Sequence, residues 1–156
     1  MTHRKQLQAG FTLVELVIVI LILGILSAVA LPRFANLGVD ARKAKVAAIY
    51  GSVRAATQIT RAAALVANAT AGATGTVTLD GQSIDTVYGY PAASATGIVT
   101  AAGLDATNDK INVAHAAGVT TIQVQGAGTL ATCQITFTQA TSASVAATAA
   151  MADGGC

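Results

Sequence analysis

The sequence predicts an α+β chain: a long, kinked amino-terminal helix packed on a three- to four-stranded antiparallel sheet. Three observations predict it. From Phe11 to Leu31 every residue is apolar or small except Thr12, Glu15 and Ser27; after Asp40 the apolar positions recur at helical spacing; beyond Ala67 the pattern changes to short alternating runs separated by turn residues. The expected organisation is a short basic leader over residues 1–10, a hydrophobic helix over 11–38, and an amphipathic helix with a globular head over 39–156.

The first helix is long enough to cross a bilayer. Its 21 residues from Phe11 to Leu31, at the α-helical rise, extend about 31 Å, one hydrocarbon thickness. Glu15 stands one turn from Phe11, where an acid costs less than at a bilayer centre but still demands a purpose. Taken by themselves, residues 1–31 also fit an uncleaved membrane anchor. They equally fit a secretory signal peptide with its h-region over Leu16 to Leu26 and cleavage after Ala30.

Next come the interruptions. Pro32 lacks a backbone donor and crowds the preceding turn, so a bend or a locally melted stretch is expected between Pro32 and Gly38. From Asp40 the helix resumes with Val46, Ile49, Val53, Ala56 and Ala63 near one line, and Arg42, Lys43, Lys45, Arg54 and Arg61 mostly off it. That line is the face expected to meet the head.

The strands follow. Thr76 to Leu79 and Ser83 to Asp85 flank Asp80-Gly81-Gln82, a hairpin signal, and Thr120 to Gln125 and Cys133 to Thr138 alternate well. Ser144 to Ala149 is expected to add an edge strand, and residues 67–111 to form a loop region beside the sheet.

Composition bounds the chemistry. The chain is 53% hydrophobic and only 10% charged, so the head is a small-residue, lightly charged domain. Charge is uneven: Lys110 faces five Asp after residue 61, while the other eight Lys and Arg precede it with only Glu15 and Asp40. The helix cations therefore suit anionic lipid, acidic neighbouring subunits, or simply a solvated face. A positive-inside count, with Arg4 and Lys5 before the apolar segment and Arg33, Arg42, Lys43 and Lys45 after it, would keep the head in the cytoplasm. Long domains cross regardless of such a count, and two late cysteines argue for an oxidising compartment.

Those cysteines, Cys133 and Cys156, lie 23 positions apart. A disulfide between them would add about 3 kcal/mol of loop-closure stabilisation. They lack the Cys-x-x-Cys spacing and nearby His of a metal or redox site. No metal or cofactor is expected, and no catalytic constellation stands out. Gly126-Ala127-Gly128 follows a strand but leads into another strand, which defeats a dinucleotide reading. His115 has no nucleophile or ligand partner at useful spacing, and Asn68-Ala69-Thr70 is a bare glycan sequon. The chain is not expected to be an enzyme.

The string Gly10-Phe11-Thr12-Leu13-Val14-Glu15 resembles the processing signature of type IV pilins and pseudopilins. Pro32-Arg33-Phe34 and Asp40-Ala41-Arg42, with Tyr88-Gly89-Tyr90-Pro91 and the late cysteines, are most similar to major pilins of the mannose-sensitive haemagglutinin type. The resemblance implies cleavage between Gly10 and Phe11 and N-methylation of Phe11 by a prepilin peptidase and methyltransferase. It also implies a pilin fold, storage in the inner membrane, and polymerisation with copies of itself, with minor pilins and an assembly platform, into an extracellular filament for adhesion or biofilm formation. The new ammonium of Phe11 would pair with Glu15 of a neighbour. Unpaired, each charge is costly in low dielectric, so the pair fixes axial register while the apolar surface supplies attraction. A type II secretion pseudopilin of a periplasmic piston is the alternative, disfavoured by the cysteine pair. DNA binding is not expected of this subunit, since only Lys110 is basic after Arg61. The aromatics are too sparse for conduction within one chain, with Phe34 and Tyr50 about 24 Å apart along an ideal helix.

Overall fold

The structure is a computed structural model describing residues 10–156, apart from the side chains of residues 35 and 36. The basic leader, with Arg4 and Lys5, lies outside the described residues except for Gly10. Helix α1 runs from Leu13 to Val66. Two compact units divide between Gly38 and Val39.

In the first unit, none of the described side chains is buried. Leu13 is 81% exposed, Ile25 63% and Phe34 70%, so this apolar surface finds no core among the described residues. The backbone remains helical through Pro32 and Gly38, and the melted stretch anticipated there is not found. Proline deletes one hydrogen bond of the ladder, and the residues on either side are helix formers that carry the segment across.

The second unit is built on the remainder of α1. Val46, Ile49, Val53 and Ala56 are buried against Ile98, Ile111, Ile122, Ile135 and Phe137. The buried face then continues through Thr57, Thr60 and Ala64, while Ala63 is only half-buried. The helix ends in a Schellman motif. Asn68 adopts φ 53°, its N–H reaches the Leu65 carbonyl at 3.2 Å, and the Ala69 N–H reaches that of Ala64 at 2.8 Å.

Two antiparallel sheets follow. The first joins β1 (Gly75–Leu79), β2 (Gln82–Val87) and β3 (Tyr90–Pro91). The second is ordered β4-β5-β6-β7, with β4 at Ile111–Ala116, β5 at Val119–Val124, β6 at Gln134–Thr138 and β7 at Thr148–Ala152. Each of three hairpins turns on two residues of positive φ: Asp80-Gly81, Tyr88-Gly89 and Ala117-Gly118. Such turns match the right-handed twist of their strands, and glycine at the second position makes them inexpensive. Between the sheets, a π-helical turn at Ala95–Val99 buries Ile98.

The fold thus carries the expected helix and antiparallel sheet, with three differences. Residues 67–111 hold a sheet of their own as well as loop. The last strand begins at Thr148, beyond the expected Ser144, because residues 140–147 form turns with only an isolated Ser142–Val145 bridge. Strand β4 is additional. After Gly126-Ala127-Gly128 the chain makes one short turn at Leu130–Thr132 and enters β6, so no helix N-terminus awaits a phosphate there.

Candidate assembly site on the amino-terminal helix

Glu15 is exposed and sits at the third position of α1, with Thr12 as N-cap. The Thr12 N–H and hydroxyl both donate to Glu15 Oε2, at 2.9 and 2.8 Å. The Glu15 N–H in turn reaches Thr12 Oγ1 at 3.3 Å. This is a capping box: the acid compensates donors that the first turn of a helix leaves unpaired. The Thr-x-x-Glu spacing gives Glu15 a structural purpose at the start of the helix. Both bonds to the carboxylate fall on Oε2, and Oε1 stands outside the box.

Gly10 and Phe11 lie just before this box and are exposed. Pro32 and Gly38 lie further along the same helix, away from the box in sequence. Phe11, Thr12 and Glu15 share one helix end, where the apolar surface that follows is long enough to cross a membrane. Chemically, that end offers one anionic acceptor set in an apolar shaft.

At the other end of the chain, Cys133 and Cys156 are joined in a disulfide, with Cα atoms 4.8 Å apart. Two backbone hydrogen bonds zip the same region: Gly155 N–H to the Thr132 carbonyl at 2.9 Å and Thr129 N–H to the Gly155 carbonyl at 3.1 Å. A Cβ at Gly155 would fall 2.6 Å from the Thr129 carbonyl oxygen, so only glycine permits this approach.

The helix cations do something that the sequence did not disclose. Arg42 Nε–H donates to the Cys156 main-chain oxygen, Lys45 Nζ to the Asp109 carbonyl, and Arg61 Nη1 to the Tyr88 carbonyl at 2.7 Å. Each ties α1 to a different segment of the head. Charge-assisted bonds to carbonyls are stronger than neutral ones, and these are partly buried. Three of the five cations in this part of the helix are therefore structural, which narrows the basic surface left for any partner.

His115 is exposed on β4, its Nδ1 2.9 Å from Thr120 Oγ1. Asn68 serves the helix cap. Among the described residues, no group of three or more His, Cys, Asp or Glu side chains is placed to hold a metal ion.

Comparison with known proteins bears on the same helix. The family described as "Prokaryotic N-terminal methylation motif" matches residues 5–31. The chain is 55% identical over 47 residues to the type IV narrow pilus major component PilA5 of Thermus thermophilus, covering 30% of this chain and 40% of that protein. It is 44% identical over 52 residues to the type IV major fimbrial protein FimA of Dichelobacter nodosus, 33% of each chain. It is 35% identical over 100 residues to the fimbrial protein EcpC of Eikenella corrodens, 62% of this chain and 63% of that protein. The chain thus spans less than two thirds of the length of each of these relatives. No solved structure matches it. The methylation signature and these relatives make the chain similar to type IV pilins along its amino-terminal helix.

Proposed function

We propose that this chain is a structural, non-catalytic subunit of a type IV pilus. Cleavage between Gly10 and Phe11 and N-methylation of Phe11 prepare it. It waits in the inner membrane through residues 11–38 and polymerises with its own copies, on an assembly platform and with minor pilins, into a surface filament for adhesion or biofilm formation.

One observation carries the reading: the exposed apolar segment over residues 11–38, which has no buried contact among the described residues and bears a single carboxylate, at Glu15. Such a surface is buried either in lipid or against other copies. The capping box adds a mechanism. Thr12 keeps its amide N–H after cleavage, so the box survives processing. Oε2 then stays with Thr12 while Oε1 accepts the Phe11 ammonium of a neighbour. A slipped register would leave two unmatched charges in the shaft, which makes the aligned register the stable one.

Glu15→Val tests this. Membrane insertion is expected to persist, since the substitution makes the segment more apolar, while fibre yield falls sharply. Normal fibre yield from that variant would remove the register argument.

A further inference from the structure

Within the second unit, Arg42, Lys45 and Arg61 are committed to oxygens of the head. Arg54 is placed differently. Its guanidinium lies 5.7 Å from the centroid of the Tyr50 ring and lines a cleft of about 320 Å³ between α1 and the start of β7. Besides Arg54 and Tyr50, the polar side chains lining it are Gln58 and Thr148, together with Thr57, whose hydroxyl already donates to the Val53 carbonyl. The cleft therefore offers a cation with a fork of donors, an amide and a hydroxyl, and no carboxylate. This is the chemistry of a carboxylate receptor.

We infer that the Arg54 cleft receives Asp80 at the tip of the β1–β2 hairpin of a second copy of this chain. The inference rests on the filament reading above and names a contact within it. Asp80 is exposed on a two-residue turn, a shape narrow enough to enter a cleft of this size. Three of the other acids after residue 61 are engaged: the Asp85 carboxylate accepts from the Thr96 hydroxyl, and those of Asp105 and Asp109 accept within their own loop. Asp153 is exposed as well, but it follows β7 beside the disulfide-pinned turn and not at a hairpin tip. Within one chain, Asp80 borders Gln82, Thr100 and Gly103, none of which lines the Arg54 cleft, so the two groups belong to separate surfaces.

That separation allows a propagating assembly. A contact made head to tail between two different patches of the same chain is heterologous, and where its rotation does not close a ring, repetition by every copy builds an open helix. The head thereby adds a second address to the one at Glu15, between basic helix and acidic turn, in keeping with the uneven charge of the chain.

Charge reversal in the full-length chain tests it. Arg54→Glu and Asp80→Arg are each expected to lower sheared fibre yield about tenfold, with the double reversal restoring most of it. As a second measurement, Gln58→Cys combined with Asp80→Cys is oxidised in assembled fibres. The double variant is expected to give a ladder of covalent oligomers that neither single variant gives. Wild-type yield from both single reversals, or no ladder from the double cysteine variant in intact fibres, overturns the contact and leaves the filament reading standing. If the wild-type chain forms no fibre, the filament reading fails and this contact fails with it.

Discussion

Arg61 holds the Tyr88-Gly89-Tyr90 turn from two sides: Nη1 donates to the Tyr88 carbonyl at 2.7 Å, and the guanidinium stacks 4.6 Å from the centroid of the Tyr90 ring. The turn lies close to the helix because Gly89 has no side chain. A Cβ there would meet Arg61 Nη1 at 2.5 Å and the Ala64 methyl at 3.2 Å, at a φ of +77°. One helix residue thus fixes where the first sheet sits on α1.

Arg61→Ala is expected to destabilise the head by about 1–3 kcal/mol, from one charge-assisted hydrogen bond and one cation–π contact. Arg61→Lys keeps the charge but not the planar fork, and recovers only part of this. Thermal unfolding of the detergent-solubilised chain reads both variants, and equal stability of wild type and Arg61→Ala would show that the turn holds itself.

Thr12→Ala removes the hydroxyl from the capping box. A loss of about 1 kcal/mol in the stability of the first turn is expected, together with a freer Glu15 carboxylate. Amide exchange at Leu13 to Glu15 should quicken, and fibre yield should fall less than in Glu15→Val. A Thr12→Ser variant, which keeps the hydroxyl, should match the wild type.

Cys133→Ser is expected to cost about 3 kcal/mol by releasing the closed loop in the unfolded chain. The terminal segment should still stay docked at neutral pH, since the Gly155 backbone bonds and Arg42 remain. Reduced wild-type fibres should then lose heat resistance before they lose shape. Unchanged melting with and without reductant would deny the disulfide a stabilising role.

The loop before β4 carries a pH dependence. Asp105 accepts backbone N–H bonds from Asn108 at 3.0 Å and Thr107 at 2.8 Å, and these hold its carboxyl below the ordinary carboxylate range. Because the folded value is the lower one, its contribution is fully present above the unfolded value and is lost as pH falls through the folded value. Exchange of the Thr107 and Asn108 amides should therefore accelerate in strong acid and be unaltered between neutral and mildly acidic pH. In Asp105→Asn that acid-induced acceleration should disappear.

Much of this head was legible in sequence. β5 and β6 alternate cleanly because both lie inside the sheet with one face on α1, and Asp80-Gly81 announced its hairpin through turn chemistry alone. β4 was not legible: it is an edge strand whose only buried residue is Ile111, and Asn112, Ala114 and His115 give no alternating pattern. The π-helical turn depends on Gly97 sitting so close to Ala92 that a Cβ would fall 2.2 Å from its carbonyl oxygen, a contact no local pattern encodes. At the assembly end, Glu15 was plain as a lone acid in an apolar run, and Thr-x-x-Glu could have disclosed its cap. The clasps of Arg42, Lys45 and Arg61 could not be read, since their acceptors are main-chain oxygens 114, 64 and 27 residues away.

The central claim is that a chain processed after Gly10 polymerises outside the cell. Intact mass spectrometry of material sheared from the cell surface, with and without reduction, tests it most directly. The account predicts a chain that begins at methylated Phe11 and is lighter before reduction by the two thiol hydrogens. A chain beginning at Leu31, or none of this chain outside the cell, would contradict it.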